Sequence, residues 1–512
     1  MLVKILSLIA SVLLTNVDMS QDPDRLSQSE YYYYSSDRQA FIIGQLNPTD
    51  EHILVDYTLP QSYSIYGDGW SYQGDWFAWF AKSPGGILPN SGPYIVDRSG
   101  ARLGLPETIH NVQLMKWGNN SNRIAIVYGF DFQLRASIID VDSLDTIADF
   151  AVSGYQPLID WTRSDNAAVI TVEGQSPDLY VLYHVNSQHG RVHAVEASGG
   201  YLCARPGLSA NDRLVYLSAE EPIILINDLT DGAIVQEHSI AVPSVSKKIV
   251  AIDANLDADY LAIYVAADCA VFSAELWLIS VTNSTSVLLD DRVTIPPHLM
   301  HNYISRLDPR FYADSRWSGN RFYAYLADNS SEVLIYDTQL GRHISVSFNG
   351  ETVDSVFWSS DTTLLVITSE TKRDAANNYI YDADDEMLVQ LYSDINPGPS
   401  QMIVRTNMTY PSLLRGRVTH LAIPGRGSCS GICVLDTNTG EVKSEIVSSD
   451  ELLVREMLWS PSGEGLFLLS ESIDNSRIIY LYNTDQEELY ELGKCAVTRS
   501  CFGWMSNLHS MR

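Results

Sequence analysis

Trp459-Ser-Pro-Ser-Gly-Glu-Gly-Leu-Phe-Leu-Leu469 places an aromatic residue, a short polar turn and an apolar run in succession. The same order recurs at Trp70-SYQGD-WFAWF, Trp117-GNNSNR-IAIVY, Trp161-TRSDN-AAVITV, Trp317-SGN-RFYAY and Trp358-SSDTT-LLVIT. Trp70 and Trp117 lie 47 residues apart, Trp117 and Trp161 44, Trp317 and Trp358 41, and Trp459 and Trp504 45. A unit of that size cannot bury its own apolar face and must pack against copies of itself. The expected fold is therefore all-β, a β-propeller.

Further short apolar runs follow within each unit. After Trp117 come Ile124-AIVY, Ala136-SIIDVDS and Thr146-IADFAV, and after Trp459 come Gly465-LFLL, Arg477-IIYLYNT and Glu488-LYEL. Such runs, separated by Asp, Asn, Ser and Gly clusters, are strand and hairpin signals, and helical periodicity is nowhere sustained. Each unit is expected to be a four-stranded antiparallel blade. The turns SPSGE, SSDTT, TRSDN and SANDR fill one hairpin, and DTQLG (337–341) and DTNTG (436–440) a later one, where Gly and Asn tolerate positive φ.

The Trp459-Ser-Pro-Ser-Gly stretch, followed by Tyr480-Leu-Tyr-Asn and Thr484, resembles the W-S-P-D-G repeat of TolB-like propellers, relatives of WD-repeat units. The likeness runs through most of the chain in degenerate form. It implies the fold and an extracytoplasmic habit common in bacteria, and it implies no catalytic residues, because the motif positions serve turns and packing.

Spacing places the weaker copies around Ser209-ANDR-LVYLS, Asn255-LDAD-YLAIYV and Arg417-VTHLAI. Trp504 opens a unit that the chain has no room to finish, while Tyr34-SSDR-QAFIIGQ and His52-ILVDYTL form a unit short of its first strand. Joined, the fragments make one composite N- and C-terminal blade that removes open sheet edges. The count is about ten blade-like repeats, within a range of 8–10, against roughly four to eight in an ordinary ring. A single large ring is favoured, with two smaller propellers as the alternative.

The 512 residues are 45% hydrophobic and 19% charged, enough for a large core. The net charge of −30 repels phosphate backbones and anionic lipid, so no nucleic-acid partner is expected, nor any membrane insertion beyond an N-terminal tether. Lys4 followed by Ile5-LSLIASVLL-Thr15 reads as a signal peptide over 1–20, without a small-x-small cleavage triplet, then a polar linker over 21–30 and the propeller over 31–512. The expected location is extracytoplasmic: secreted, periplasmic or cell-surface.

Six cysteines fit that compartment. Cys429 with Cys433 and Cys495 with Cys501 are the local disulfide candidates, leaving Cys203 and Cys269 as a distant pair. The rival is a zinc site built from the four C-terminal cysteines, whose spacing only loosely fits a zinc ribbon.

Other candidate sites are weighed against plainer readings. Asp253-Ala-Asn255-Leu-Asp257-Ala-Asp259 alternates oxygen ligands as a calcium loop does. It lacks the sixth-position Gly, offers Tyr264 where the bidentate acid belongs, and falls where other units have a polar turn. His184, His189 and His193 straddle Asn186-Ser-Gln-His-Gly190, so only His184 and His193 are placed to face each other across a hairpin. Gly427-Ser-Cys429-Ser-Gly431 puts Cys at the centre of a nucleophile-elbow spacing, without the strand-to-helix context. Asp384 and Asp385 are too ordinary in so acidic a chain to nominate a glycosidase dyad. Two long insertions, 291–308 and 394–417, carry Pro, aromatic and Met residues suited to a binding face. The tyrosine run 31–34 reads as the strand that opens the composite blade.

No catalytic residue and no cofactor are assigned, calcium remaining the weak candidate. The expected function is a non-catalytic binding module for a protein or polysaccharide partner. The alternative is a propeller-fold glycoside hydrolase or lyase with acidic residues at the central channel. An enzyme needs titratable groups converging on a pocket, whereas a binder needs a broad face with apolar anchors.

Overall fold

The computed structural model describes residues 30–504 except 47–50, 61–62, 84–88, 131–132, 163, 175–178, 199–206, 209–212, 220, 222, 230–234, 242–246, 256–257, 269–272, 297–315, 328–330, 349–351, 359–362, 371–374, 383–386, 396–403, 406–419, 425–431, 437–441, 447–452, 461–463, 472–476 and 496–501. The described residues form ten antiparallel sheets and no helix. Nine sheets have four strands and one has three. In chain order they occupy 30–56 with 502–504 (sheet one), 64–97, 112–152, 155–198, 207–241, 248–294, 317–347, 352–395, 404–446 and 453–494 (sheet ten). The chain is a β-propeller. Its first strands are innermost: Ser64–Trp70, Val112–Trp117 and Tyr155–Trp161 run beside one another from sheet to sheet.

Four of the repeat tryptophans, at their first strands, tie their sheet to one before it. Trp117 Nε1 donates to the carbonyl of Gly69, Trp161 Nε1 to Lys116, Trp317 Nε1 to Asp253 and Trp358 Nε1 to Arg316, at 2.9 to 3.1 Å. Gly69, Lys116 and Arg316 immediately precede Trp70, Trp117 and Trp317. By the same register Ala254 fills the tryptophan position of sheet six, which is why sequence alone shows no aromatic marker there. The polar residue that follows closes the first hairpin with its own side chain. Thr162 Oγ1, Asn255 Oδ1 and Ser460 Oγ accept from the N–H five residues on, in Ala167, Tyr260 and Gly465. That side chain satisfies a donor which the turn would leave orphaned.

In sheets three, four, six, seven and ten the last hairpin opens on a polar residue, which in sheets four, seven and ten is an Asp or Asn whose Oδ1 caps two backbone N–H groups. Asn186 caps Gln188 and His189, Asp337 caps Gln339 and Leu340, and Asn483 caps Asp485 and Gln486. Four residues later the backbone turns left-handed, at Leu144 (φ 64°), Gly190 (64°), Ser284 (49°), Gly341 (62°) and Glu487 (55°). Glycine marks that position in only two of these five turns, so the turn is set by hydrogen bonding as much as by residue type.

Sheet one joins the two ends of the chain. Phe502–Trp504 pairs antiparallel with Glu30–Ser35, in the register Tyr31↔Trp504, Tyr32↔Gly503 and Tyr33↔Phe502. Alternation along the tyrosine strand welds this sheet to both neighbours. Tyr31 meets Phe467 of sheet ten edge-on at 5.4 Å, and Tyr32 meets Phe77 of sheet two at 4.8 Å. One apolar cluster accordingly runs through sheets ten, one and two. Further clusters join sheets two to eight in series and sheets nine to ten, while the seam between eight and nine lies outside the described residues.

Sheet two departs from the expected four strands. After Ser91–Asp97 the chain doubles back, because Asp97 Oδ1 accepts from the N–H groups of Ser99 and Ala101 and so folds a tight turn. Only the single bridge Val96↔Arg102 stands where the other sheets carry a fourth strand.

Candidate functional site

Among the described residues, those marked for chemistry by sequence form no group of three or more metal-ligating side chains. In the calcium-like stretch, Asp253 ends buried in the seam between sheets six and seven, Asn255 closes the hairpin of sheet six, and Asp259 pairs with Arg213 at 3.2 Å. Asp257 lies outside the described residues. The described residues of the stretch, Asn255 at the hairpin and Asp259 on Arg213, serve the polar blade turn expected at this place.

His184 and His193 are direct cross-strand partners with ring centroids 6.4 Å apart, while His189 lies exposed in the turn between them, its main-chain N–H donating to Asn186 Oδ1. His184 is fully buried, and neither of its ring nitrogens finds a hydrogen-bond partner. Burial, and then the neighbouring His193, push its pKa down to about 4, so the ring is neutral in ordinary media. Among the described residues no group of three or more His, Cys, Asp or Glu is arranged to hold a metal ion.

Cys495 is buried just past the outer strand of sheet ten and is disulfide-bonded. Cys433 sits in the strand Ile432–Asp436 opposite Ile423 and Glu445. Cys203, Cys269, Cys429 and Cys501 lie outside the described residues, as do Asp384, Asp385, the Gly427–Gly431 segment, residues 1–29 and most of the two insertions.

Four charged groups, of which only Asp253 is marked by the sequence, sit one position before the tryptophan place of their sheets, held in sheet six by Ala254. Lys116 of sheet three meets Asp160 of sheet four at 3.3 Å, and Asp253 and Arg316 hold the corresponding positions of sheets six and seven, both buried. Aligning the repeats on their tryptophans is the signal that would have revealed this belt. Its side chains point into the seams between sheets. Around Asp253 the seam also holds the hydroxyls of Tyr264 and Tyr323, 2.7 Å apart. Burial raises the Asp253 pKa to about 7, against the opposing pull of the Arg316 N–H and guanidinium and of the Tyr323 hydroxyl.

Two further carboxylates are absorbed in the same way. Asp165 of sheet four accepts from the N–H groups of Asn119 and Asn120, both at 2.6 Å, and from Ser121 Oγ of sheet three. Glu51 accepts from the hydroxyls of Tyr31 and Tyr33, and burial raises its pKa.

Exposed large apolar side chains follow a different rule. Leu144 and Leu340 lie in the last hairpin of their sheets, and Ile53, Val287, Leu288 and Leu489 within the first four residues after it. All six therefore gather at one end of the sheets, on the outer side, in sheets one, three, six, seven and ten. Phe130, beside His110, stands at the opposite end.

No family model and no curated protein matches the chain. Solved structures with related architecture include a eukaryotic initiation factor, at 10% identity with a TM-score of 0.47, covering 94% of this chain and 99% of that one. Dipeptidyl peptidase 4 of Porphyromonas gingivalis has 11% identity and a TM-score of 0.44, covering 88% of this chain and 63% of the peptidase. An oligogalacturonate lyase solved with manganese has 14% identity and a TM-score of 0.34, covering 63% of this chain and 86% of the lyase. These likenesses do not go beyond the fold, a fold that carries unrelated functions.

Proposed function

We propose that the chain is a TolB-like, single-ring propeller working outside the cytoplasm as a non-catalytic binding module for a protein or polysaccharide partner. The observation that carries this reading is the gathering of Ile53, Leu144, Val287, Leu288, Leu340 and Leu489 at the last-hairpin end of five sheets. Apolar anchors spread over a broad rim suit a macromolecular partner, and the hairpins beneath them are fixed by side-chain caps, so little order is lost on binding. The dispersal of Asp165, Asp253, Glu51 and the Lys116–Asp160 pair into separate seams supports the same view, since an active site needs such groups to converge. Disulfides from Cys429 to Cys433, Cys495 to Cys501 and Cys203 to Cys269 belong to this reading, the second tying sheet ten to the closing strand.

The test uses the full chain on a panel of acidic and neutral polysaccharides and on the proteins of its own cell envelope, with saturable binding and polymer cleavage measured side by side. Binding without cleavage, lost in Leu340→Asp or Leu288→Asp, supports the module. Cleavage of any polymer, with release of new reducing ends or unsaturated sugars, favours the glycoside hydrolase or lyase and overturns it.

A further inference from the structure

The seam between sheets six and seven contains a carboxylate, a guanidinium and two phenols removed from solvent together. Asp253 and Arg316 are each 8% exposed, and Tyr264 and Tyr323 are fully buried. Asp253 Oδ2 and Arg316 Nε both lack hydrogen-bond partners. The carboxyl is held by the Arg316 N–H and the Tyr323 hydroxyl and Arg316 Nη1 donates to the Val356 carbonyl, yet one polar atom of each charged group is left buried and unpaired, which is a costly arrangement. The part-buried Lys116–Asp160 pair at the corresponding level of sheets three and four closes at 3.3 Å, with Asp160 open to solvent.

The cluster is also wired to the joint itself. The main-chain carbonyl of Asp253 accepts from Trp317 Nε1, and the carbonyl of Arg316 accepts from Trp358 Nε1. The same two residues thus hold the tryptophan bonds that fasten sheet seven to sheet six and sheet eight to sheet seven.

We propose that the Asp253 carboxyl is a proton-operated latch of this seam: protonated, it lets the two sheets close over the cluster, and ionised, it weakens the joint and lets water reach Arg316. Apart from Asp253, the titratable groups facing the carboxyl are Tyr264 from sheet six and Arg316 and Tyr323 from sheet seven. Both tyrosines are held protonated by burial at any working pH, so among the described groups facing the carboxyl Asp253 is the one that changes state. The direction follows from where the proton is held more tightly. The carboxyl titrates near 7 in the closed seam and near the ordinary aspartate value of about 4 once the seam is wet. The closed form therefore binds more protons between those values, and the seam opens more readily as pH rises through that window, levelling off above it.

Hydrogen exchange of the full chain reads this directly, followed by mass spectrometry on peptides from 248–266 and 316–327 and corrected for the intrinsic pH dependence of exchange. Protection of these peptides is expected to fall roughly tenfold from pH 6 to pH 8, with peptides of sheets three and four unchanged. Asp253→Asn, which cannot ionise, should hold protection constant over that range. Tyr323→Phe, which removes a hydroxyl favouring the ionised acid, should keep the fall but move it to higher pH. Flat wild-type protection, or an equal fall in Asp253→Asn, overturns the latch. Should the asparagine variant not fold, an unshifted profile in Tyr323→Phe overturns it equally.

Discussion

The hydroxyl of Tyr33 donates to the main-chain carbonyl of Leu492 at 3.0 Å, joining residues 459 positions apart. That bond crosses from the second strand of sheet one to the outer strand of sheet ten. Tyr31 works beside it from the same strand face, its ring against Phe467 and its hydroxyl on Glu51. The run 31–34 is thus a two-sided weld at the place where the chain's beginning and end meet.

The weld leaves no room at Gly44. A Cβ there would sit 2.5 Å from the ring and hydroxyl of Tyr31, which is pinned by Glu51. Gly44→Ala is expected to destabilise the protein by about 1–3 kcal/mol, the usual cost of overpacking. Urea unfolding followed by near-ultraviolet circular dichroism gives the value, and adding Tyr31→Phe should restore little, because the ring carbons clash as well.

The tryptophan bonds between sheets predict a graded response. Trp317→Phe leaves the buried carbonyl of Asp253 without its donor and should cost about 1–3 kcal/mol. Trp358→Phe should cost a similar amount through Arg316, measured in the same urea titration. A loss under a few tenths in both would show that the indole N–H groups add nothing to the joints.

Leu144 is the reverse case. It is 57% exposed with φ 64°, so it pays backbone strain without packing in return. Leu144→Gly is expected to raise stability by about 0.5–1 kcal/mol. Thermal unfolding compared with Gly190→Ala, where a Cβ would meet the Ile147 carbonyl at 2.0 Å, should move the two variants in opposite directions.

His184 sets an acid limit. Its folded pKa, near 4, lies below the ordinary histidine value of about 6.5, so the unfolded chain binds the extra proton first and stability is lost as pH falls from roughly 6.5 towards 4. His184→Leu should abolish that part of the acid sensitivity, worth about 2 kcal/mol at pH 5. Melting temperatures at pH 5 and pH 7.5 decide it: the gap between the two pH values should narrow in the variant.

Much of this fold can be read from local chemistry. Trp117, Trp161, Trp317 and Trp358 advertise their sheets because an indole at the end of an inner strand is both a packing body and a donor. Sheets five, six and nine were found from apolar runs and turn residues alone, and the composite sheet from the mismatch of its fragments. The missing fourth strand of sheet two was hidden, since Asp97 looks like any turn aspartate until its Oδ1 is seen capping Ser99 and Ala101. The Asp253–Arg316 pair was hidden for a different reason. Ala254 stands where the marker tryptophan belongs, so the stretch reads as a polar blade turn and nothing in it marks Asp253 as the partner of Arg316. The exposed rim also escaped, because an isolated Leu or Ile in a strand reads as core until its face is known.

The closing sheet is the central structural claim, and removal of the last strand tests it most directly. A chain ending at residue 500 loses three antiparallel pairs with Glu30–Ser35 and uncovers the edge that Tyr31 and Tyr33 occupy. Scanning calorimetry with light scattering on the intact and shortened chains should show unfolding at lower temperature, by about 2–4 kcal/mol of lost stability, together with self-association through the exposed edge. A shortened chain that melts cooperatively at the temperature of the intact protein and remains monomeric would contradict closure through sheet one.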